Sequence, residues 1–303
     1  MASQVTPVMV KPRVGYFPGS VNVGLLLGDS GAILIDSGLD TQTAKKIKRG
    51  LDELAQPLRA IVQTHAHADH FGGNAYLLSA WPEAAVWAPP LEEAVIRNPI
   101  LEPLYLGMGA APLPELRNKF LMAEPSRVDH LLPIDGEVQI EGLTLTTLSL
   151  PGHSWQQLGI VCEQICFAAD GYFGTETLAK HKLPFLIDAY DTLLSLGKLR
   201  DTRYEGYLPG HGPYETSIEQ TIDRNIAWHQ RILEQIVAIL REEELTLEEG
   251  LARLCGQLEI QMENMTSYVL FRTAYMGYLT GLLREERIQC RFAENRLLWR
   301  AVG

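Results

Sequence analysis

The chain lacks most of the features that would set it apart from ordinary globular proteins. Four cysteines occur in 303 residues (Cys162, Cys166, Cys255 and Cys290), and no two of them stand in a CxxC spacing. That excludes a disulfide framework and reads as reduced, mostly buried thiols of a cytosolic protein. No apolar run approaches the roughly 18 residues a membrane helix needs, and the first residues show no basic stretch leading into an apolar core and a cleavage site. The expectation is a cytoplasmic protein that neither spans a membrane nor is secreted. Positive charge is scarce as well: 26 Lys and Arg stand against 37 Asp and Glu, a formal net charge of -11. Long-range attraction to nucleic acid or to an anionic membrane is disfavoured, which makes a small-molecule substrate the default. There is no internal repeat and no low-complexity tract.

What is present is enough apolar sequence, 46% of the residues, to bury a full core in one large domain plus a small one. Before residue 215, β-rich runs such as 21–27 and 32–35 alternate with Gly and Asp turns, and helical stretches intervene at 41–55 and 189–200. Residues 138–150, 158–162 and 165–169 read as further strands. From Thr216 the character is helical. Thr216 with Glu219 and Thr246 with Glu249 both have capping-box spacing, and Ile218, Ile222, Ile226, His229, Leu233, Ile236 and Leu240 recur at helical intervals. A third helix over 266–285 leads into strand-like runs at 288–292 and 297–302. Three helices and a hairpin resemble a winged-helix module, so the expected domains are 1–214 and 215–303.

The chemistry concentrates in Thr64-His65-Ala66-His67-Ala68-Asp69-His70, three imidazoles and a carboxylate in seven residues, directly after the apolar run 60–62. Neutral imidazole is the commonest metal ligand, and such a cluster at a strand end suggests a metal cradle. Three later positions of the same kind follow: Gly152-His153-Ser154, Ala169-Asp170-Gly171 and Gly210-His211-Gly212. Together they offer five imidazoles and two carboxylates, enough for two adjacent ions. His130 and His229, by contrast, read as packed structural residues. His181 stands between Lys180 and Lys182, where a solvated basic turn competes with a substrate contact.

The string His65-x-His67-x-Asp69-His70, followed by His153, Asp170 and His211, resembles the metallo-β-lactamase superfamily, most closely its glyoxalase II-like hydrolase branch. Leu34-Ile35-Asp36-Ser37-Gly38 and Gly72-Gly73-Asn74 match the family pattern too. The resemblance implies an α/β fold, a four-layer αββα sandwich with the metals at one edge of two facing sheets. It puts His65, His67 and His153 on one metal ion, Asp69, His70 and His211 on a second, and Asp170 between both. It makes Asp69 and Asp170 the catalytic carboxylates and gives Asp36 the task of holding the metal loop by hydrogen bonding. The implied cofactors are two divalent ions, zinc first, with iron or manganese accepted by the same ligands. The implied nucleophile is a bridging hydroxide, and the implied reaction is transfer of an acyl group to water from an ester, lactone or thioester.

Departures from neighbouring branches narrow this. Aspartate at 170 differs from the cysteine or serine of the antibiotic-hydrolysing β-lactamases, which leaves β-lactam hydrolysis as a side activity, and His67 departs from the glutamate of the flavodiiron pattern. Acyl-homoserine lactonases place a tyrosine three residues after the bridging aspartate. Phe173 stands there in this chain, with Tyr172 before it, and both are candidate substrate contacts. The proline-rich segment 89–127, with Ile100, Leu101, Leu104, Tyr105, Leu106, Met108 and Leu113, reads as a lid or pocket wall for an apolar group, or as cover for the sheet or a contact with a second copy. The C-terminal module also resembles winged tails of some endoribonucleases, so the alternative is a metal-dependent phosphodiesterase. Ten arginines and no lysine against fourteen acidic residues in 215–303 argue against a phosphate footprint there.

Overall fold

Strands that are apolar on both faces need cover on both sides, and this requirement organises the first part of the chain. The computed structural model describes residues 6–302. Strands β1 (Val8–Lys11), β2 (Val14–Phe17), β3 (Val23–Leu27), β4 (Ala32–Ile35), β5 (Leu58–Val62), β6 (Ala85–Ala88) and β7 (His130–Leu131) form one sheet in chain order. Its first four strands are antiparallel and its last four parallel. A second sheet runs β12-β11-β10-β9-β8, built from β8 (Glu137–Ile140), β9 (Leu143–Ser149), β10 (Leu158–Cys162), β11 (Ile165–Ala169) and β12 (Gly206–Pro209). Only β11 and β12 are parallel in it.

Alternation along β4 shows the layering. Ile33 and Ile35 join Val62, Leu145, Ile160, Phe167 and Leu208 in a core between the two sheets. Ala32 and Leu34 point the other way, onto Ala44, Ile47 and Leu51 of helix α1 (Thr41–Glu53) and onto Leu77. Burying each such Leu or Ile contributes roughly 1.5–3 kcal/mol. At Gly24 a Cβ would lie 2.5 Å from the Phe167 ring, so only glycine lets the sheets close there. Short helices α2 (Ala68–Phe71), α3 (Asn74–Ala80), α4 (Glu92–Arg97) and α5 (Leu101–Leu106) occupy the connections. Segment 89–127, read from the sequence as a lid or pocket wall, holds two helices and a 3-10 turn at Pro114–Leu116.

The second body consists of helices α6 (Thr175–His181), α7 (Ala189–Asp201), α8 (Glu219–Glu242), α9 (Leu247–Gln257) and α10 (Met265–Arg284) and the hairpin β13 (Ile288–Ala293) and β14 (Arg296–Ala301). Its core joins Leu186 and Ala189 to Leu233, Ile236, Leu240, Leu254, Tyr275, Leu279 and Trp299. The three C-terminal helices and the hairpin fall where the sequence places them. The Thr246–Glu249 capping box forms, with Glu249 N–H donating to Thr246 Oγ1 at 3.3 Å. The Thr216–Glu219 box does not, because α8 starts only at Glu219, behind Ile218, and leaves Thr216 ahead of the helix.

The sequence places a single boundary after residue 214, whereas the compact units are interleaved. Among the described residues, one takes 6–149, 155–170 and 203–217, and the other 150–154, 171–202 and 218–302. Helices α6 and α7 pack with the C-terminal helices, a non-local preference that no local pattern announces. No helix among the described residues is long and apolar enough to cross a membrane.

His229 is buried on α8, with Nδ1 2.7 Å from the Tyr278 hydroxyl on α10. Burial, then the neighbouring His153, pushes its pKa down from 6.5 to about 4. The unfolded chain therefore takes up a proton in a range where the folded chain does not, and acidification through that range favours unfolding. His229→Gln is expected to remove this component. Between pH ~6.5 and ~5 it should lose about 2 kcal/mol less stability than the parent protein, as measured by denaturant titration at the two pH values.

Candidate metal centre

Parallel strands end on a common side, and in both sheets the chemistry-bearing residues follow such ends. Ile35 pairs with Val62 where β4 and β5 stop, and Ala169 pairs with Pro209 where β11 and β12 stop. Beyond them come Asp36, the run His65–His70, Asp170 and His211. Asp36 and Ala169 both have left-handed backbone, with φ of 64° and 47°. Side chains other than glycine are rarely held this way, and here the turn comes at, or one residue before, a carboxylate of the cluster.

Asp36 is the hub of the hydrogen bonding. Its Oδ1 accepts from the Thr64 backbone N–H at 2.8 Å, and its Oδ2 accepts from the Thr64 hydroxyl at 2.8 Å and from His70 Nδ1 at 2.7 Å. Because the Thr64 hydroxyl proton goes to Asp36, His65 Nδ1, 3.0 Å from that oxygen, must donate to it. His65 Nε2 is then a lone pair, 3.1 Å from His67 Nδ1. The same logic orients two more rings: His211 Nδ1 donates to the Ser20 carbonyl at 2.8 Å, and His153 Nδ1 to the Phe185 carbonyl at 3.0 Å. Each outward nitrogen is thereby fixed as a potential metal ligand.

The donor atoms converge. His70 Nε2 lies 3.3 Å from Asp170 Oδ1, while His211 Nε2 lies 3.3 Å from Asp69 Oδ2 and 3.5 Å from Asp170 Oδ2. Two overlapping triads, His65–His70–Asp170 and Asp69–His70–His211, each have their ligand atoms within 4.8 Å of one another. Burial opposes charge on His70, but the carboxylates of Asp170, Asp36 and Asp69 outweigh it and hold the imidazole well above its ordinary range. His211 is raised in the same way, against its burial, by Asp170 and Asp69. Burial pushes Asp69 up, yet His70 and His211 overcome it and bring the carboxyl to about 2. So dense a set of carboxylates demands positive charge, and a divalent ion with nitrogen and oxygen ligands satisfies it. Gly210 completes the cradle: a Cβ there would lie 2.2 Å from Asp170 Oδ1 and 2.8 Å from His70 Cε1.

The other candidates lie as follows. His153 occupies the loop between β9 and β10, in the stretch 150–154 that belongs to the second unit. Tyr172 is buried in that unit, and the half-buried Phe173 ring lies 5.7 Å from His153, with its N–H donating to Asn225. His181 ends α6 and is exposed, and Tyr105 on α5 is 43% exposed. His130 is exposed and stacks on Trp87.

Several supporting residues escaped the sequence reading. Asn22 Nδ2 donates to the carbonyls of Pro209 and Gly212 and so pins the turn that carries His211. Gln157 Oε1 accepts the Asp170 N–H at 3.3 Å. Buried Glu92 accepts the Ala66 N–H at 3.0 Å. Asp36 and Thr64 lay inside recognisable motifs, whereas Asn22, Gln157 and Glu92 reach the site from other parts of the chain.

Comparison with known proteins gives a consistent result. The model of the Metallo-beta-lactamase superfamily matches residues 16–211. Among relatives, the probable metallo-hydrolase YqgX of Bacillus subtilis is 27% identical over 70% of this chain and 94% of its own length. An atrochrysone carboxyl ACP thioesterase of Aspergillus chevalieri is 25% identical over 79% of this chain and 68% of its own. Among solved structures, a beta-lactamase domain protein from Burkholderia ambifaria superposes with a TM-score of 0.75 at 16% identity, covering 100% of this chain and 95% of that one. The fold is the α/β metallo-beta-lactamase fold with a helical C-terminal region.

Two substitutions test the cradle. Asp36→Asn keeps the shape but weakens acceptance from His70, and should lower metal affinity about 10–100-fold in a chelator competition. Gly210→Ala should displace Asp170 and lower bound metal, while Gly197→Ala, whose Cβ would meet nothing within 4 Å, should leave it unchanged.

Proposed function

We propose that this chain, which belongs to the metallo-beta-lactamase superfamily as a metal-dependent hydrolase, cleaves an ester, lactone or thioester of a small substrate with a dinuclear centre. In this reading His65, His67 and His153 hold one ion, Asp69, His70 and His211 the other, and Asp170 serves both. The observation that carries it is the placement of the Asp170 carboxylate. Its two oxygens lie near different imidazoles, Oδ1 at 3.3 Å from His70 and Oδ2 at 3.5 Å from His211, as suits an anion shared between two cations.

When bound, two divalent ions, zinc first, would supply water acidified toward a pKa of about 7 and positive charge for a developing oxyanion. The chain's own residues do the rest. Asp36 keeps the Nδ1 proton on His70 and so leaves Nε2 for ligation, and Ser20 does the same for His211. Asp69, which His70 and His211 bring to a pKa of about 2 against its burial, is an anion near neutral pH. Exposed apolar side chains of segment 89–127, among them Ile100, Tyr105, Met108 and Leu113, would meet an apolar part of the substrate. The thioesterase among the relatives supports a thioester, and the run His65–His70 with its later partners supports the glyoxalase II-like branch. Cys162, Cys166 and Cys255 are buried free thiols, in keeping with a reducing cytoplasm. The acidic balance of the three helices and hairpin argues against nucleic-acid binding by a winged-helix-like tail.

Two measurements test the reading. Metal analysis should find close to two ions per chain, and Asp170→Ala should lose at least one of them and at least about 100-fold in kcat/KM. In a panel of acyl thioesters, lactones, aryl esters, β-lactams and phosphodiesters, kcat/KM should favour one of the first three classes. Full metal content in the variant would overturn the bridging role, and preference for a phosphodiester would overturn the acyl chemistry.

A further inference from the structure

The segment His65-Ala66-His67 has no regular secondary structure: β5 ends at Val62, and α2 begins only at Ala68. Two neighbouring ligands on an irregular stretch need their backbone held from outside, since freeing even a few residues costs about 1–2 kcal/mol each in conformational entropy on reordering. The amide between the two imidazoles, Ala66 N–H, is buried, and its hydrogen bond is to the carboxylate of Glu92, at 3.0 Å to Oε2. The other oxygen, Oε1, accepts the Gln156 N–H at 2.8 Å. The next residue, Gln157, is completely buried and accepts the Asp170 N–H through its side chain. One carboxylate thus spans the loop of His65 and His67 and the chain leading to the partner of Asp170.

A second, independent observation lies one residue upstream. Leu91 has φ 63° and ψ -45°, and Glu92 N–H donates to the Pro90 carbonyl at 2.8 Å. This is a γ-turn of the rarer, strained hand, in a residue with a branched side chain rather than glycine. Such strain costs on the order of 1–3 kcal/mol and persists only where surrounding structure enforces it, most often at functional sites. Here the turn opens α4 and brings its first residue inward, leaving Leu91 itself 55% exposed. An exposed leucine in strained backbone followed by a buried glutamate is hard to account for by packing alone.

We propose that Glu92 is a positioning residue for the ion held by His65 and His67: its carboxylate fixes the Ala66 amide and so sets the separation and direction of the two imidazoles. The inference rests on the reading that those histidines share one ion. Glu92 also opens α4, so the same carboxylate joins the segment 89–127 to the metal loop.

The experiment compares the metal-free full chain and its zinc titration for the parent protein, Glu92→Gln and Leu91→Gly. Glu92→Gln keeps the volume but replaces one of the two accepting oxygens by an amide donor. It should weaken one of the two zinc ions about 10–100-fold and the other by less than about threefold. In the metal-free protein, amide exchange at Ala66 should quicken at least about tenfold, while exchange in the β3 and β4 core stays unchanged. Leu91→Gly, which relaxes the turn and leaves the carboxylate in place, should shift the same ion in the same direction by a smaller factor, and it remains informative if Glu92→Gln does not fold. Equal weakening of both ions, or unchanged Ala66 exchange, would overturn the positioning role. If the parent protein takes up fewer than two ions, the dinuclear reading fails, and Ala66 exchange alone still decides whether Glu92 holds the loop.

Discussion

His70 stands between two carboxylates in a fully buried position, with Asp36 on one nitrogen and Asp170 facing the other. Neither carboxylate tolerates burial without a partner, because an uncompensated charge in the interior costs several kcal/mol. The chain has to bring the ends of β4, β5 and β11 to one place to satisfy all three groups. The left-handed residues at the ends of β4 and β11, the glycine that leaves room for Asp170, and the asparagine that pins the turn of His211 all follow from that demand. The sheets supply rigidity, but the polar chain Asp36–His70–Asp170 decides where they stop.

The same chain explains why the centre suits a cation rather than a set of neutral hydrogen bonds. Thr64, Asp36 and the Ser20 carbonyl take up the inner protons of His65, His70 and His211 and leave their outer nitrogens directed at a neighbouring imidazole or at carboxylates. Crowded lone pairs repel in a low dielectric. The raised pKa values of His70 and His211 and the lowered one of Asp69 express this in protonation terms: the cluster is built to accept positive charge. Stability and ligation therefore draw on the same residues, which fits an arrangement in which ion binding also contributes to folding.

Much of this was legible in the sequence, for identifiable reasons. Residues 65–70 form a dense local motif, and the apolar run before them marks a strand. The helical stripe of α8 and the Thr246 capping box follow from spacing alone. Thr216 misled because a capping box needs the helix to start where the spacing suggests, whereas α8 starts at Glu219 with Ile218 as its N-cap. The helices of segment 89–127 were not visible because they are short and its prolines mark their starts: Pro89 and Pro90 precede α4, and Pro99 precedes α5. Glu92, Asn22 and Gln157 were invisible because each acts on a backbone amide or carbonyl far away in the chain, and backbone partners leave no mark in sequence.

The interleaving of the two compact units bears on how the molecule can change. Each unit is assembled from three separate stretches, and Leu183, Leu186 and Ala189 share a hydrophobic core with residues beyond 230. Cutting the chain after residue 217 would strand α6 and α7 with an uncovered apolar face. The helical tail is thus not a cassette that recombination could exchange at one point. Its sequence and that of 171–202 must drift together, and any descendant that replaces one has to rebuild the other.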